Sequence, residues 1–306
     1  MVQKCLIVFL LLSLGLPSLN QSKENVPANT IKDERIRDYV YTGFVHLYNF
    51  EFHSADSIID FLKSNYSYSP WTYVLSSNYY WWKIISGEKN ESNAKLFLKN
   101  LAYSRDRIGK ERSHENLFLR ILISSFRSRY DLLDDKYIST VNEVKNQIDV
   151  IKNTFGKEEQ YQAFYLTSGL YYYMVDIAYT NYLFLRPLLY FIPEGDRAKG
   201  IRYLSKKTGD IILETESNYY LMKIYNEMES NGQQSLKYAK YLYSIYPNNY
   251  VFAEYYFRLL IKTRKTPLTK QESELLIKSM NKNKQLTTNQ KEYFSGIIIK
   301  LQELQP

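Results

Sequence analysis

Apolar side chains recur at steps of three and four residues along most of this chain, which is the spacing that places side chains on one face of an α-helix. The first two stretches are joined by a short link, so their helices are expected to run antiparallel. The first comprises Ile36, Tyr39, Val40, Gly43, Phe44, Leu47 and Phe50, and the second comprises Ala55, Ile58, Ile59, Leu62 and Tyr66.

The same periodicity predicts helices along nearly all of the remaining chain. The predicted stretches are residues 70–84, 94–102, 117–124, 141–155, 161–185, 198–208, 217–228, 236–246 and 252–260, with two more that begin at Thr269 and Thr287. No stretch alternates apolar and polar residues with a period of two between turn signals, so no strand is predicted. The pattern therefore favours an all-α protein.

Local signals mark several of the expected helix ends. Ser69 is a suitable N-cap before Pro70, because proline has no N–H to leave unsatisfied in the first helical position. Thr269 and Glu272 have the spacing of a capping box. Gly156 follows the 141–155 stretch at a C-cap position, where it is expected to end that helix.

The first helix pair resembles a tetratricopeptide unit, which is a pair of helices of about 34 residues with small residues where the helices cross. Tyr39, Gly43 and Ala55 stand where that family places an aromatic residue, a glycine and an alanine, and Pro70 follows a few residues late. Because Gly43 and Ala55 lack bulk, two helices can approach closely there. We expect Gly43→Leu to destabilise the fold by roughly 1 to 3 kcal/mol.

Two further segments resemble the same family, whereas residues 94–156 keep the helical period without its signature. The matching positions are Ser235, Ala239, Leu242, Tyr246 and Pro247 in one segment, and Tyr165, Ser168, Gly169 and Tyr172 in the other. The resemblance implies antiparallel helix pairs stacked as a right-handed superhelix, an α-solenoid. It also implies an inner groove that holds a protein or peptide, without enzymatic activity.

The first 20 residues have the pattern of a secretory signal peptide. Lys4 precedes an uncharged apolar run over residues 5–16, which is too short to span a bilayer comfortably. We therefore expect residues 1–20 to be removed, and residues 21–306 to form the helical repeat domain in a bacterial periplasm or outside the cell. Cys5 is the single cysteine, so the mature protein is expected to contain no disulfide.

The net charge of +8 arises from basic and acidic residues that are interspersed along the chain, which is typical of a solvated surface. Two basic clusters are denser, one in a predicted loop and one around a predicted helix. They are Arg105, Arg107, Lys110 and Arg112, and Arg197, Lys199, Arg202, Lys206 and Lys207. Because export removes the usual nucleic-acid partner, we expect no nucleic-acid binding and consider peripheral contact with anionic lipid instead.

No residue pattern identifies a catalytic, cofactor-binding or metal site, and none is predicted. Gly195 and Gly200 have the spacing of a P-loop, but the lysine and hydroxyl residue that should follow are missing. His46, His53 and His114 fit no zinc-binding arrangement. Phosphate cofactors and metals are therefore not expected.

Two aromatic runs, Tyr79–Trp82 and Tyr171–Tyr173, cannot direct all their side chains to one face of a helix. Some members are expected in the core, and exposed members are candidates for contact with sugars or peptides. The favoured function is a protein- or peptide-binding scaffold. The alternatives are an α-helical polysaccharide hydrolase or lyase and a structural component of the cell envelope.

Overall fold

The computed structural model describes residues 30–264 and 267–303, and within these ranges every regular element is helical. The predicted leader, residues 1–20, lies outside the described residues. The helices are α1 (Glu34–Tyr48), α2 (Phe52–Asn65), α3 (Pro70–Ile85), α4 (Glu91–Arg107), α5 (His114–Asp131), α6 (Tyr137–Asn146), α7 (Ile148–Lys152), α8 (Phe164–Asn181), α9 (Arg186–Leu189), α10 (Arg197–Leu204), α11 (Ile211–Lys223), α12 (Gly232–Ile245), α13 (Tyr250–Arg264), α14 (Lys270–Lys282) and α15 (Thr288–Glu303). The all-α prediction is confirmed for the described part of the chain.

Three shorter segments complete these helices: single 3₁₀ turns at Leu132–Asp134 and Leu183–Leu185, and a π-helical turn at Ile224–Met228 that extends α11. Within the described ranges, no helix is both long and apolar enough to cross a membrane. The helices bury their apolar faces against one another, and most of the buried apolar side chains belong to one large core.

The predicted caps of α3 and α14 are confirmed. The Ser69 side chain accepts a hydrogen bond from the backbone N–H of Trp71, and Pro70 is the first residue of α3. Thr269 and Glu272 form both hydrogen bonds of the capping box at the start of α14. These side chains satisfy backbone N–H groups that a helix start leaves without a partner.

The single helix predicted over residues 141–155 is wrong, because the chain leaves the helical conformation at Gln147 and forms α6 and α7 instead. Its apolar period nevertheless continues, since Val141 and Ile151 pack with Ile121 of α5 in one small core. Gly156 has a φ of +77° but lies beyond the end of α7 at Lys152. The glycine therefore does not cap this helix.

Other predicted boundaries are also corrected by the structure: the helix predicted over 161–185 is α8, which ends at Asn181, and the one predicted over 198–208 is α10, which ends at Leu204. α4 continues through Arg107, so the break predicted from residue 105 begins later. α11 begins at Ile211 instead of Ser217, because the Asp210 side chain accepts hydrogen bonds from two backbone N–H groups of the first turn. That cap stabilises an extra helical segment ahead of the predicted one.

Neighbouring helices pack as pairs along the chain: α1 with α2, α3 with α4, α8 with α10, α11 with α12, and α14 with α15. α5 packs against both α6 and α7, and α13 packs against α12 and α15. Short links join most of these partners, as expected for antiparallel helix pairs. The pairwise organisation is thus the basic unit of this fold.

Helices α1 and α3, near the start of the described chain, also contact α11, α13 and α15 near its end, and their side chains form one shared core. The rings of Tyr48 and Tyr246 lie 5.5 Å apart, and Trp82 lies 5.5 Å from Phe252. The Asn249 side-chain amide donates a hydrogen bond to the Tyr48 carbonyl at 2.8 Å. These side chains are buried, so α1 and α3 do not line an open groove where they face α11 and α13.

Glycines allow close packing in two places. A Cβ atom at Gly43 would lie 2.5 Å from Leu75 Cδ2 of α3 and 3.4 Å from Ile58 Cγ2 of α2. The absence of a side chain at Gly43 therefore lets α1 pack closely against both helices. Between α8 and α10 the backbones themselves approach, since a Cβ at Gly200 would lie 2.7 Å from the backbone nitrogen of Tyr173 and 2.9 Å from the Gly169 carbonyl oxygen. Larger residues in this second crossing would separate the helices.

Candidate functional site

A band of aromatic rings and arginines lies where α1, α2, α3 and α4 meet at the surface. We call it the tyrosine-arginine surface. It consists of Arg35, Tyr39, Phe61, Tyr66, Tyr68, Tyr73, Tyr103 and Arg107. The turn from α2 to α3, residues 66–69, lies in the middle of the band. Its members therefore come from four different helices.

One half of the surface is a chain of aromatic rings. Tyr39 and Phe61 have ring centroids 4.6 Å apart, and Phe61 is 6.1 Å from Tyr66, which is 6.2 Å from Tyr68. Tyr39, Phe61 and Tyr68 expose 42, 39 and 52% of their surface. Such exposure is large for aromatic side chains that touch one another, and it leaves ring faces and edges open to a partner.

Arg35 is fixed beside this chain of rings. Its Nε and Nη2 donate hydrogen bonds to the two carboxylate oxygens of Asp33 at 2.9 and 2.8 Å, and its guanidinium carbon lies 5.7 Å from the Tyr68 ring centroid. Arg35 is the main cause that holds the pKa of Asp33 below its usual value. The bidentate pair therefore positions a charged group against an exposed ring.

Arg107 is fixed in the other half of the surface, at the C-terminal end of α4. Its Nε donates to the Ser67 carbonyl and its Nη1 donates to the Tyr103 carbonyl at 2.9 Å. The guanidinium carbon lies 4.2 Å from the Tyr73 ring centroid and 5.3 Å from that of Tyr103. Nη2 has no hydrogen-bond partner among the described residues and remains a donor for a bound group.

Among the described residues, four of the nine cations in the two basic clusters have a carboxylate partner. Arg105 and Arg107 lie on α4 and not in a loop, and Arg105 pairs with Glu143 at 2.9 Å. In the second cluster, several cations have carboxylate partners: Arg197 with Asp176 and Glu229, Lys206 with Glu159, and Lys207 with Glu214. These ion pairs lower the net positive charge of both clusters.

The two aromatic runs divide between core and surface, as the helical geometry required. Trp81 and Trp82 are buried, whereas Tyr79 and Tyr80 are half-buried. In the second run, Tyr171 and Tyr173 are buried while Tyr172 is half-buried beneath Lys199, whose Nζ lies 3.8 Å from the ring centroid. Most of these rings stabilise helix packing and are not free to hold a ligand.

A buried polar network that the sequence reasoning missed joins α1, α3, α5 and α11. Arg129 approaches Glu216 at 3.4 Å, and Glu216 also accepts a hydrogen bond from the Tyr48 hydroxyl at 3.1 Å. The Arg129 guanidinium lies 4.1 Å from the Trp81 ring and donates to Asn78. Burial raises the pKa of Glu216, although Arg129 acts in the opposite direction.

A signal for this network was present in the sequence. Glu216 lies three residues after Leu213 and three before Tyr219, so it stands on the buried stripe of α11. A carboxylate at such a position needs a cation in the core. Because Arg129 is 87 residues away along the chain, the pairing itself could not be read from local spacing.

The histidines do not converge in the structure. His46 Nδ1 pairs with Glu51 on its own helix hairpin, and His114 packs against Tyr161 and Phe164. In the described ranges, no group of three potential metal-ligating side chains was found. Two cavities, one beside Asp210 and one under α13, measure about 10 Å³ each, which is room for at most one water molecule.

No protein-family model, curated protein or solved structure matches this chain. The resemblance to tetratricopeptide units therefore stays a prediction from the sequence, chiefly from Tyr39, Gly43 and Ala55. For that reason the tyrosine-arginine surface must be interpreted from its own geometry.

Proposed function

We propose that this chain is an exported, tetratricopeptide-like helical-repeat protein that binds a protein or peptide through the tyrosine-arginine surface. It performs no catalysis itself and acts in the periplasm or outside the cell. The observation that carries the proposal is the set of exposed, mutually contacting rings with two arginines fixed among them. Stacking of the helix pairs as a right-handed superhelix is part of the same proposal.

The composition of the surface favours a polypeptide partner. Tyrosine and arginine are enriched among the residues that contribute most to protein–protein binding. Arg35 and Arg107 are already held by hydrogen bonds, so binding would cost less side-chain entropy than it would for free arginines. Exposed rings such as Tyr68 offer apolar area, and Arg107 Nη2 offers a donor for a carbonyl or carboxylate of the partner.

Two buried carboxylates, Glu216 and Asp210, give little support to the alternative of a polysaccharide hydrolase or lyase. Such enzymes need two carboxyl groups on either side of a substrate. Glu216 is buried in the network with Arg129, and Asp210 caps α11 while accepting hydrogen bonds from Thr30 and Tyr41. Both groups are therefore engaged in holding helices together.

The proposal is tested by affinity capture with a matched pair of variants. The test variant combines Tyr68→Ala with Arg107→Ala. The control combines Tyr241→Ala with Lys207→Ala, which removes another exposed ring with a cation 5.1 Å from its centroid. Extracts of the source cell envelope are passed over each immobilised protein, and bound proteins are quantified by mass spectrometry.

We expect at least one protein to be captured by the wild type and by the control. The test variant should recover roughly tenfold less of it, or less still. Equal recovery of every captured protein by both variants would refute a role for the tyrosine-arginine surface. Release of sugars from a polysaccharide substrate by the wild-type chain would instead support the enzyme.

A further inference from the structure

The segment over residues 179–191 carries five large apolar side chains that are each more than half exposed. We call it the exposed apolar segment. It runs from the last turn of α8, through α9, to Phe191. Its exposed large side chains are Tyr179, Leu183, Phe184, Tyr190 and Phe191, with 52, 64, 59, 81 and 72% of their surface accessible.

Some apolar side chains of this segment are buried in the protein, and others are exposed to solvent. Leu185 and Leu189 are buried and pack in the small core beneath, together with Ile192. Leu183 and Tyr190, by contrast, are 64 and 81% exposed. The fold therefore buries the inward leucines and leaves most of the surface of Leu183, Tyr190 and Phe191 accessible.

The exposed apolar segment carries positive charge and no negative charge. Between Asp176 and Glu194 there is no carboxylate, and Arg186 is the single charged side chain. Its Nε donates a hydrogen bond to the Tyr179 carbonyl at 2.9 Å, and its guanidinium lies 4.8 Å from the Tyr179 ring centroid. A cation is thus held among exposed apolar side chains in a chain whose net charge is +8.

We propose that the exposed apolar segment inserts into the surface of a phospholipid bilayer. Phenylalanine and leucine would enter the boundary between headgroups and acyl chains, and tyrosine would sit at headgroup level. Arg186 would meet lipid phosphates while its stem stays among the apolar side chains. Net positive charge adds attraction to anionic lipids that salt weakens.

A bilayer fits the segment better than a second copy of the chain does. Stable protein interfaces use roughly 20 to 30 residues from each partner, whereas the segment offers the five exposed side chains named above. Insertion into lipid needs no complementary groove. The lipid contact shares no residue with the tyrosine-arginine surface, so either proposal can fail without the other.

A position-specific label separates this contact from any effect of the apolar run at residues 5–16. In the full chain carrying Cys5→Ser, an environment-sensitive fluorophore is attached through Phe191→Cys or, as the control, through Ile299→Cys. Ile299 is 47% exposed on α15, outside the exposed apolar segment. Vesicles contain phosphatidylcholine alone or phosphatidylcholine with phosphatidylglycerol, with or without a lipid-borne quencher.

We expect the label at position 191 to brighten with vesicles and to be quenched from within the bilayer, more strongly when phosphatidylglycerol is present. The label at 299 should respond weakly. An equal response at both positions, or none at 191, would overturn the proposal. Brightening at 191 that depends on protein concentration without vesicles would overturn it in favour of a second copy.

A pair of variants tests the same contact without a label. Leu183→Ser with Phe191→Ser should weaken vesicle partitioning roughly tenfold or more, because large apolar groups no longer enter the bilayer. Leu275→Ser with Ile299→Ser removes two exposed apolar side chains elsewhere and should leave partitioning unchanged. Equal weakening by both pairs would contradict a localised contact.

Discussion

The shared core of α1, α3, α11 and α13 differs from the small core beneath the exposed apolar segment in how each uses its apolar side chains. In the shared core, rings such as Trp82 and Phe252 are enclosed by helices from both ends of the described chain. The small core buries Ile121, Val141 and Leu189 but leaves the neighbouring Tyr190 and Phe191 mostly exposed. Aromatic richness alone therefore does not indicate burial, because its role depends on what packs opposite.

The largest expected effect contrasts one ring from each region. Trp82→Ala should lower the free energy of unfolding by about 3 to 5 kcal/mol, because it opens a cavity in the shared core. Phe184→Ala, at a 59% exposed position, should change it by no more than about 0.5 kcal/mol. Chemical denaturation of both variants measures the difference, and equal losses would remove the distinction between the regions.

A second substitution tests the charged network in the shared core. Arg129→Met should destabilise the protein by about 3 to 5 kcal/mol, because it leaves the Glu216 carboxylate buried without its cation. The double variant Arg129→Met with Glu216→Met should recover much of that loss in the same denaturation experiment. A double variant as unstable as the single one would show that the pair itself is not the cause.

A third comparison concerns glycine packing. Gly43→Leu should destabilise by roughly 1 to 3 kcal/mol, since a Cβ there already lies 2.5 Å from a Leu75 methyl carbon that must move. Gly296→Ala on α15 is the control, because no atom lies within 4 Å of its added Cβ. It should stabilise by up to about 1 kcal/mol through helix propensity. An unchanged denaturation midpoint for Gly43→Leu would refute close packing at this site.

The smallest expected effect is a change of stability with pH. Burial raises the pKa of Tyr246 to about 12, compared with about 10 for an unfolded tyrosine. The folded state therefore holds this proton more tightly, and the resulting stability is present below pH 10 and lost as the pH rises towards 12.

Tyr246→Phe isolates this contribution from that of the other tyrosines. Near pH 8 the variant should be less stable by about 0.5 to 1.5 kcal/mol, because it loses the hydrogen bond with Thr215. The difference should shrink when unfolding is measured above pH 10. A difference that stays constant up to pH 12 would show that Tyr246 does not titrate with folding.

Local sequence signals predicted two helix starts correctly, both outside the small core. Ser69 with Pro70 and Thr269 with Glu272 marked helix starts that the structure confirms, because each cap acts within four residues. The interruption of the helix at Gln147 had no local sequence signal, because the apolar periodicity continues from α6 into α7. Periodicity reports which face is buried and does not report whether the backbone stays helical throughout.

Contacts between distant parts of the chain could not be predicted. The pairing of Arg129 with Glu216 and the enclosure of Trp82 by Tyr219 and Phe252 depend on how helix pairs are arranged in space. The tyrosine-arginine surface was missed for the same reason. Its rings come from four helices, and no short motif contains them.

Cross-linking between the end of α3 and the start of α15 tests the shared core most directly. The Thr287 hydroxyl donates a hydrogen bond to the Glu88 carboxylate at 2.6 Å, so these two positions adjoin although they are 199 residues apart. In the Cys5→Ser chain, Glu88→Cys with Thr287→Cys should be joined within one molecule by a short bismaleimide in buffer, and much less in denaturant. Linkage that is absent in buffer, or that forms only between molecules, would contradict the shared core.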